Sequence, residues 1–463
     1  MKSYIFLLSI LYFLNLKASL NAQNAPLEIA EKVTIQSKVL NESRELLIYK
    51  PKTVSKKTVK YPVIYVFDGE SLFLPTIGAV NFMSYSSEIP QMPEAIVVGI
   101  VNKDRMRDMP VPQRFEKVDG AAKFLEYIEK EVITYIGQNY TTNGLNVLIG
   151  HSQGGTFVTY AAAERPKLFP FVLALDAPMT INPTLANAFL EKISPACKMR
   201  YVSAETGFGW RDLWKMEGAC FSATQLAVEN ETHESMPYKS IYDGLKILFK
   251  DYVLAEKDLS LTKMEAYFSS LTEKYNAELP IPPSPLLGSA SRKIAQSRKK
   301  EAIELITYYE KLYGQNERML NLLAQANAIT KEPDPRVDYY LNLPNPSAAT
   351  IAPFLGKWKG ILEVPGGQNM NVQFEIKEEN GKYILAGETG AEGEKWKTQN
   401  DILYVTEKGE LIWGRKGSGG VYVSIGKINK NGLLEGKEDL IGVSPPPGFG
   451  PFIPNTFEFE RIQ

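Results

Sequence analysis

The stretch that most constrains the fold of this chain is "LNVLIGHSQGGTFV" at residues 145–158. An apolar β-type run ends at Gly150, a serine between glycines follows, and a run of small residues suited to a helix comes next. This is the Gly-x-Ser-x-Gly pattern, in which a sharp turn between strand and helix lifts a serine hydroxyl into a cleft. Such a turn strains the backbone at Ser152 and leaves no room for side chains at Gly150 and Gly154. We therefore predict a strand, a tight turn and a helix, with Ser152 as a nucleophile.

A serine nucleophile needs a base, and the chain has two histidines, His151 and His233. His151 directly precedes Ser152, so we expect its side chain to leave the turn in another direction. His233 lies in the polar loop "NETHESMPYKS" (230–240), just before a predicted helix. By elimination, His233 is the predicted base.

The third member of such a site is a carboxylate that lies between the serine and the histidine in chain order. Glu205, Asp212 and Asp176 all satisfy this order. Glu205 directly ends the predicted strand "RYVSAE" and is ranked first, Asp212 follows in the next segment, and Asp176 lies one strand earlier. A Ser–His dyad without a carboxylate also stays open.

Two backbone N–H groups are expected to form an oxyanion hole. One is that of Gln153, at the start of the predicted helix, and the other is that of Glu70, in the loop "DGES" (68–71) after an earlier strand. The Glu70 carboxylate would weaken this site unless it points away. No metal or organic cofactor is expected, because neither histidine lies at metal-ligand spacing from a cysteine.

The spacing of apolar residues divides the chain into parts. Up to about residue 252, short apolar runs alternate with helical segments, which predicts an α/β domain with a mostly parallel sheet. After residue 252 the apolar residues recur at helical spacing. After a proline-rich stretch they recur at every second position, with Asn-Gly pairs that indicate turns. The predicted parts are a signal peptide (1–22), an α/β domain (23–255), a helical appendage (256–330), a linker (331–350) and an antiparallel β-barrel of about eight strands (351–463).

The first residues, "MKSYIFLLSILYFLNLKASLNAQ", show a lysine, an apolar run too short to span a bilayer and a small polar stretch. This pattern predicts export to the periplasm or the medium. Cys197 and Cys220 could then form a disulfide or remain two separate thiols. The chain carries 52 Lys+Arg against 53 Asp+Glu without a basic block, so a nucleic-acid partner is not expected.

Four stretches in this order carry a family resemblance: "YPVIYVFDG", "AIVVGIVNKDRMRDMPVP", "LIGHSQGG" and "THESMPYKSIYDGLKILF". They resemble the esterase D-like branch of the α/β-hydrolases, which includes enterobactin and salmochelin esterases, S-formylglutathione hydrolases, feruloyl and acetyl-xylan esterases, and mycolyltransferases. The resemblance covers roughly residues 30–252. It implies Ser152 as nucleophile, His233 as base, and Glu70 and Gln153 as oxyanion donors. Separately, "LGKWKG" (355–360) is similar to the Gly-x-Trp start of lipocalin-like barrels.

The expected function is that of an exported serine esterase that works through an acyl-enzyme. Siderophore trilactones, feruloyl or acetyl esters of polysaccharides and short acyl esters are open as substrates, as is acyl transfer. The alternative from another functional class is a binding protein, in which the hydrolase domain is catalytically degenerate and the barrel holds a ligand. Arg105, in the stretch "NKDRMRD" (102–108), could bind an anionic substrate or belong to a structural ion-pair loop, and its neighbouring aspartates favour the loop.

Overall fold

The structure is a computed structural model. It describes residues 27–51, 59–86, 89–110, 119–179, 189, 198–207, 221–254, 259–330, 333–390, 396–417, 420–442 and 452–462. The predicted signal peptide, both cysteines and Asp212 lie outside these ranges. Within them, every helix is too short or too polar to cross a membrane.

An eight-stranded mixed sheet forms the first part of the molecule, in the order β1-β2-β4-β3-β5-β6-β7-β8. β1 and β2 are antiparallel to their neighbours, and all strands from β4 across to β8 are parallel. This confirms the predicted α/β class. The strands are β1 (Glu31–Ser37), β2 (Glu42–Tyr49), β3 (Tyr61–Phe67), β4 (Ile96–Ile100), β5 (Thr142–His151), β6 (Phe171–Leu175), β7 (Met199–Glu205) and β8 (Phe221–Ala227).

Helices follow the strands and cover the sheet. They are α1 (Gly69–Asn81), α2 (Arg105–Asp108), α3 (Asp119–Tyr127), α4 (Ile133–Asn139), α5 (Gln153–Glu164) and α6 (Met236–Leu248). The π-helical segment Ile128–Val132 joins α3 to α4, so residues 119–139 form one continuous helical stretch. Because α1 and α5 begin directly after β3 and β5, their N-termini lie at the carboxyl edge of the sheet, where the open ends of such helices attract negative charge.

The helical segment that follows packs onto this sheet domain. Its helices are α7 (Leu261–Tyr275), α8 (Pro283–Ala295), α9 (Lys299–Tyr313) and α10 (Glu317–Asn327). The guanidinium of Arg200 on β7 lies over the ring of Tyr275, 4.5 Å from its centre, and that ring meets Phe171 edge-on at 5.7 Å. The segment therefore shares one hydrophobic core with the α/β sheet.

Helices begin within two proline-rich stretches, one of which was predicted to be a linker. Helix α8 begins at Pro283, and the predicted linker contains α11 (Pro335–Leu341) and α12 (Ala348–Ile351). Proline is tolerated in the first turn of a helix, because the N–H that it lacks would have no partner there. The Asp334 side chain accepts a hydrogen bond from the Arg336 N–H and caps α11.

The C-terminal part is a nine-stranded antiparallel sheet that curls into a nearly closed barrel, which confirms the predicted class. Its strands are β9 (Gly356–Glu363), β10 (Met370–Glu379), β11 (Lys382–Gly390), β12 (Trp396–Gln399), β13 (Ile402–Val405), β14 (Leu411–Lys416), β15 (Val421–Ile428), β16 (Leu434–Ile441) and β17 (Asn455–Ile462). Trp358 on β9 is buried, and its indole N–H donates to the Phe354 carbonyl at 2.8 Å. The likeness to lipocalin-like barrels stays a prediction.

A buried ion-pair cluster joins β2 to α2. Arg44 is only 1% exposed, and its Nη1 lies 2.6 Å from Asp108 Oδ2 and 3.0 Å from Glu42 Oε1. Arg107 also contacts both carboxylates. The hydrogen bond from Arg107 has the largest effect on the pKa of Glu42. Together with Arg44 it lowers this pKa to about 2, although burial of the carboxyl acts in the opposite direction.

We expect Arg44→Met to lower the free energy of unfolding by about 3–5 kcal/mol, since it removes a partner of the buried Asp108 carboxylate. Urea denaturation measures this. The control is Lys32→Met, which removes the exposed Lys32–Glu45 pair on β1 and is expected to cost less than about 1 kcal/mol. Equal effects of the two substitutions would contradict the structural role of the cluster.

Candidate active site

Ser152 sits at the tight turn between β5 and α5. Its backbone has φ 55° and ψ −120°, a region that residues with a side chain rarely adopt. Its N–H donates to the Leu175 carbonyl of the neighbouring strand at 2.8 Å. A Cβ at Gly150 would lie 2.3 Å from the Gly154 carbonyl oxygen, so only glycine fits there. The strand, turn and helix therefore have the geometry that the sequence predicts.

The two following glycines differ in how much room they have. A Cβ at Gly155 would come within 2.8 Å of the Ala177 Cβ, whereas one at Gly154 would meet Asp68 Oδ2 at 3.1 Å. The closest packing in the turn is thus at Gly150 and Gly155, and Gly154 is the more tolerant position.

We expect Gly150→Ala to lower the free energy of unfolding by about 1–3 kcal/mol or more, because the new methyl group clashes with the main chain of Gly154. That main chain cannot move without a change in the shape of the turn. Thermal unfolding checks this. The matched control is Gly137→Ala in α4, where a Cβ meets nothing within 4 Å and alanine should stabilise the helix by about 0.4–1 kcal/mol. A neutral Gly150→Ala would contradict the observed turn.

His233 is hydrogen-bonded to a buried carboxylate. Its Nδ1 lies 2.8 Å from Asp176 Oδ2, and Asp176, with φ 44°, directly follows β6. The same carboxylate accepts hydrogen bonds from Thr206, at 2.9 Å from the backbone N–H and 2.6 Å from the hydroxyl. Because Ser152 N–H is bound to Leu175, the residue before Asp176, this pair lies beside the turn.

The carboxylate that contacts His233 is the one ranked third from the sequence. Glu205, ranked first, ends β7 as predicted, but its Oε1 accepts from the Ser203 hydroxyl of its own strand at 3.1 Å. The physical reason is strand order: β6 is the direct neighbour of β5, and β7 lies one strand further away. Asp212, ranked second, lies outside the described residues.

Hydrogen bonding keeps Asp176 ionised. Burial alone raises the pKa of this carboxyl, but the hydrogen bonds from Thr206 and His233 outweigh burial and hold the pKa below its usual range. An ionised Asp176 fixes the proton of His233 on Nδ1 and leaves Nε2 able to accept a proton.

Two helix N-termini converge beside Ser152. In α1 the Ser71 and Leu72 N–H groups donate to the Asp68 carbonyl, and within the described part of the chain no acceptor faces the Glu70 N–H. Gln153 is the first residue of α5. The Glu70 carboxylate is held by Asn102, with Oε1 2.6 Å from Nδ2 and Oε2 3.2 Å from the backbone N. Its side chain is thus committed to Asn102, while the backbone N–H stays available.

Arg105 connects these two helix starts. Its Nε lies 2.7 Å from Asp68 Oδ1 and its Nη2 lies 3.1 Å from Asp68 Oδ2. Its Nη1 donates to the Gln153 side-chain oxygen at 3.0 Å, and its Nη2 reaches the His151 carbonyl at 3.3 Å. These contacts agree with the structural role predicted for Arg105, that of a member of an ion-pair loop. The hydrogen bonds from Arg105 to Asp68 are the largest influence on its pKa, which is raised.

The sequence analysis missed Asp68 and Thr206. Asp68 directly follows β3 and is mostly buried, and it accepts from Arg105 and Asn102. Thr206 directly follows β7 and binds Asp176. Both stand at the carboxyl end of a parallel strand, which is the signal that could have singled them out.

Part of this chain matches a known protein family. Residues 37–236 match the family described as "Putative esterase". This esterase segment contains the turn at Ser152, Asp176 and His233.

Two curated relatives come from Bacillus subtilis strain 168. The chain is 27% identical over 154 residues to ferri-bacillibactin esterase BesA, covering 29% of this chain and 53% of BesA. It is 26% identical over 137 residues to the uncharacterized protein YbbA, covering 27% of this chain and 54% of YbbA. The matched stretch thus spans about half the length of each relative.

A solved structure matches over a longer stretch. The crystal structure of an IroE-like serine hydrolase from Shewanella oneidensis is 26% identical, with a TM-score of 0.50. The match covers 61% of this chain and 98% of that protein. The family resemblance carried by the four sequence stretches is confirmed.

Proposed function

We propose that this protein hydrolyses carboxylic esters with Ser152 as nucleophile, His233 as base and Asp176 as the carboxylate that orients the base. The observation that carries the proposal is the 2.8 Å hydrogen bond between His233 Nδ1 and Asp176 Oδ2, next to a serine in a strained turn. A strained nucleophile, a base and an orienting carboxylate are an arrangement that supports acyl transfer, and the chain order Ser, Asp, His is the one that α/β-hydrolases use.

The reaction has two balanced steps. The Ser152 hydroxyl gives its proton to His233 Nε2 as its oxygen bonds to the ester carbonyl carbon, and the oxyanion is bound by the N–H groups of Gln153 and Glu70. The C–O bond to the alcohol then breaks, and His233 protonates the leaving alkoxide. Water repeats the sequence on the acyl-enzyme, which releases the acid and restores Ser152.

Relatives support a siderophore ester as the substrate class. BesA is named as a ferri-bacillibactin esterase, and the structural relative is named as IroE-like. A siderophore trilactone carries ester bonds of the type that this site would cleave. The leader predicted for residues 1–22 supports work outside the cytoplasm, in the periplasm or the medium.

A substrate panel tests the proposal. The full chain and His233→Gln are assayed with p-nitrophenyl acetate and butyrate, a siderophore trilactone and a feruloyl ester, and products are followed by absorbance and chromatography. We expect turnover by the wild type, fastest on the trilactone, and nearly none by His233→Gln. A folded wild type that is no faster than His233→Gln on every ester would contradict the proposed function, and faster cleavage of the feruloyl ester would contradict the substrate class.

A further inference from the structure

We propose that His151 is a positioning residue that holds the loop of His233 against the nucleophile turn. This inference rests on the proposed function, which supplies the role of His233. His151 is the last residue of β5 and directly precedes Ser152. Its ring Nε2 lies 2.8 Å from the main-chain carbonyl oxygen of His233.

The chemistry of this contact fixes the tautomer of His151. A carbonyl oxygen only accepts, so Nε2 of His151 carries the hydrogen and donates it. The ring also packs against the His233 ring, with the two centres 4.5 Å apart and the planes inclined by 40°. The same residue therefore contacts both the main chain and the ring of the base.

His233 links the loop 229–235 to the sheet. Several other hydrogen bonds of this loop are local, such as those from Ser235 Oγ to Glu231 and from Thr232 N–H to Ser235 Oγ. His233 ties this loop to the sheet and its turns through hydrogen bonds to Asp176 and to His151. Asp176 fixes the ring, and His151 fixes the main chain that carries it.

Arg105 extends this connection to the oxyanion side. The His151 carbonyl accepts from Arg105, which also binds Asp68 in front of α1. One continuous set of contacts thus runs from Asp68 through Arg105 and His151 to His233. A small displacement of a reacting group lowers the reaction rate sharply. We therefore expect this set of contacts to affect the rate of ester hydrolysis.

The charge state of His151 suits the same role. Burial and the neighbouring His233 ring lower the pKa of His151 and outweigh the opposing effects of the His233 carbonyl, Asp68 and Asp176. Glu234 also lies close enough to interact with His151 electrostatically. His151 is therefore neutral near pH 7, when His233 takes the serine proton. A charged His151 would repel the imidazolium that forms beside it.

Two substitutions separate positioning from packing. His151→Phe keeps a planar ring without a donor, whereas His151→Gln keeps an N–H near the position of Nε2. We expect His151→Phe to lower kcat by about 10–100-fold with little change in KM, because the proposed role of His151 acts through His233 and not through substrate binding. His151→Gln should recover most of this loss, which a purely structural filler would not do.

Nitrogen NMR on protein labelled with 15N-histidine provides a readout that does not depend on turnover, since the chain has two histidines. We expect the Nδ1–H signal of His233 to shift and broaden in His151→Phe and to return in His151→Gln. Unchanged kcat and an unchanged His233 signal in a folded His151→Phe would overturn the inference. A wild type that cleaves no ester but shows the same signal changes would overturn the proposed function and leave the positioning role standing.

Discussion

Ser152→Ala lowers kcat for the preferred ester by about 10⁵-fold or more, because removal of the nucleophile leaves only binding and the oxyanion donors to assist water. The strained backbone conformation at position 152 is as unfavourable for serine as for alanine, so we expect Ser152→Ala to keep the fold of the wild type. Stopped assays at high enzyme concentration measure the residual rate.

The control for this variant is Ser270→Ala on α7, whose hydroxyl bonds only to the Tyr267 carbonyl in its own helix among the described residues. Its kcat should equal that of the wild type. A Ser152→Ala protein that retains a tenth of the activity would exclude Ser152 as the nucleophile.

Asp176→Asn lowers kcat by about 10⁴-fold, the scale on which an orienting carboxylate contributes. The amide can donate to His233 and stabilise the wrong tautomer, with its proton on Nε2, and it cannot stabilise the imidazolium. The matched control is Glu205→Gln, which changes a carboxylate at the end of the next strand and should alter kcat by less than about 10-fold. The reverse ranking of these two variants would return the role to Glu205.

The pKa of Asp176 also predicts a pH effect on stability. Because this pKa is lowered in the folded protein, the ionised carboxylate stabilises the fold above its ordinary pKa, and that contribution is lost as the pH falls below about 4. The difference in unfolding free energy between the wild type and Asp176→Asn should therefore narrow as the pH falls below that value. Urea denaturation at a series of pH values measures it.

The turn at Ser152 could be predicted because its determinants are local. The strand, the glycine at 150 and the small residues of α5 lie within a few positions of each other, and the steric demand at Gly150 acts between residues of the same turn. The barrel could be predicted for a similar reason, since a period of two and Asn-Gly turns are visible in short windows.

The carboxylate that contacts His233 could not be predicted, because its position depends on which strands are neighbours. Chain order admits Asp176 and Glu205 equally, and only the placement of β6 beside β5 brings Asp176 to His233. The role of His151 was hidden for the same reason, since its partner lies 82 residues away along the chain. Long-range pairing of this kind leaves no periodic trace in the sequence.

Reaction of the full chain with a fluorophosphonate, followed by peptide mass mapping, shows directly whether Ser152 is the nucleophile. This reagent phosphonylates an activated serine and does not require knowledge of the substrate. The account predicts one adduct, on Ser152, that forms rapidly in the wild type, far more slowly in His233→Gln and not at all in Ser152→Ala. A folded wild type that stays unmodified, or that carries its adduct on another serine, would contradict the account.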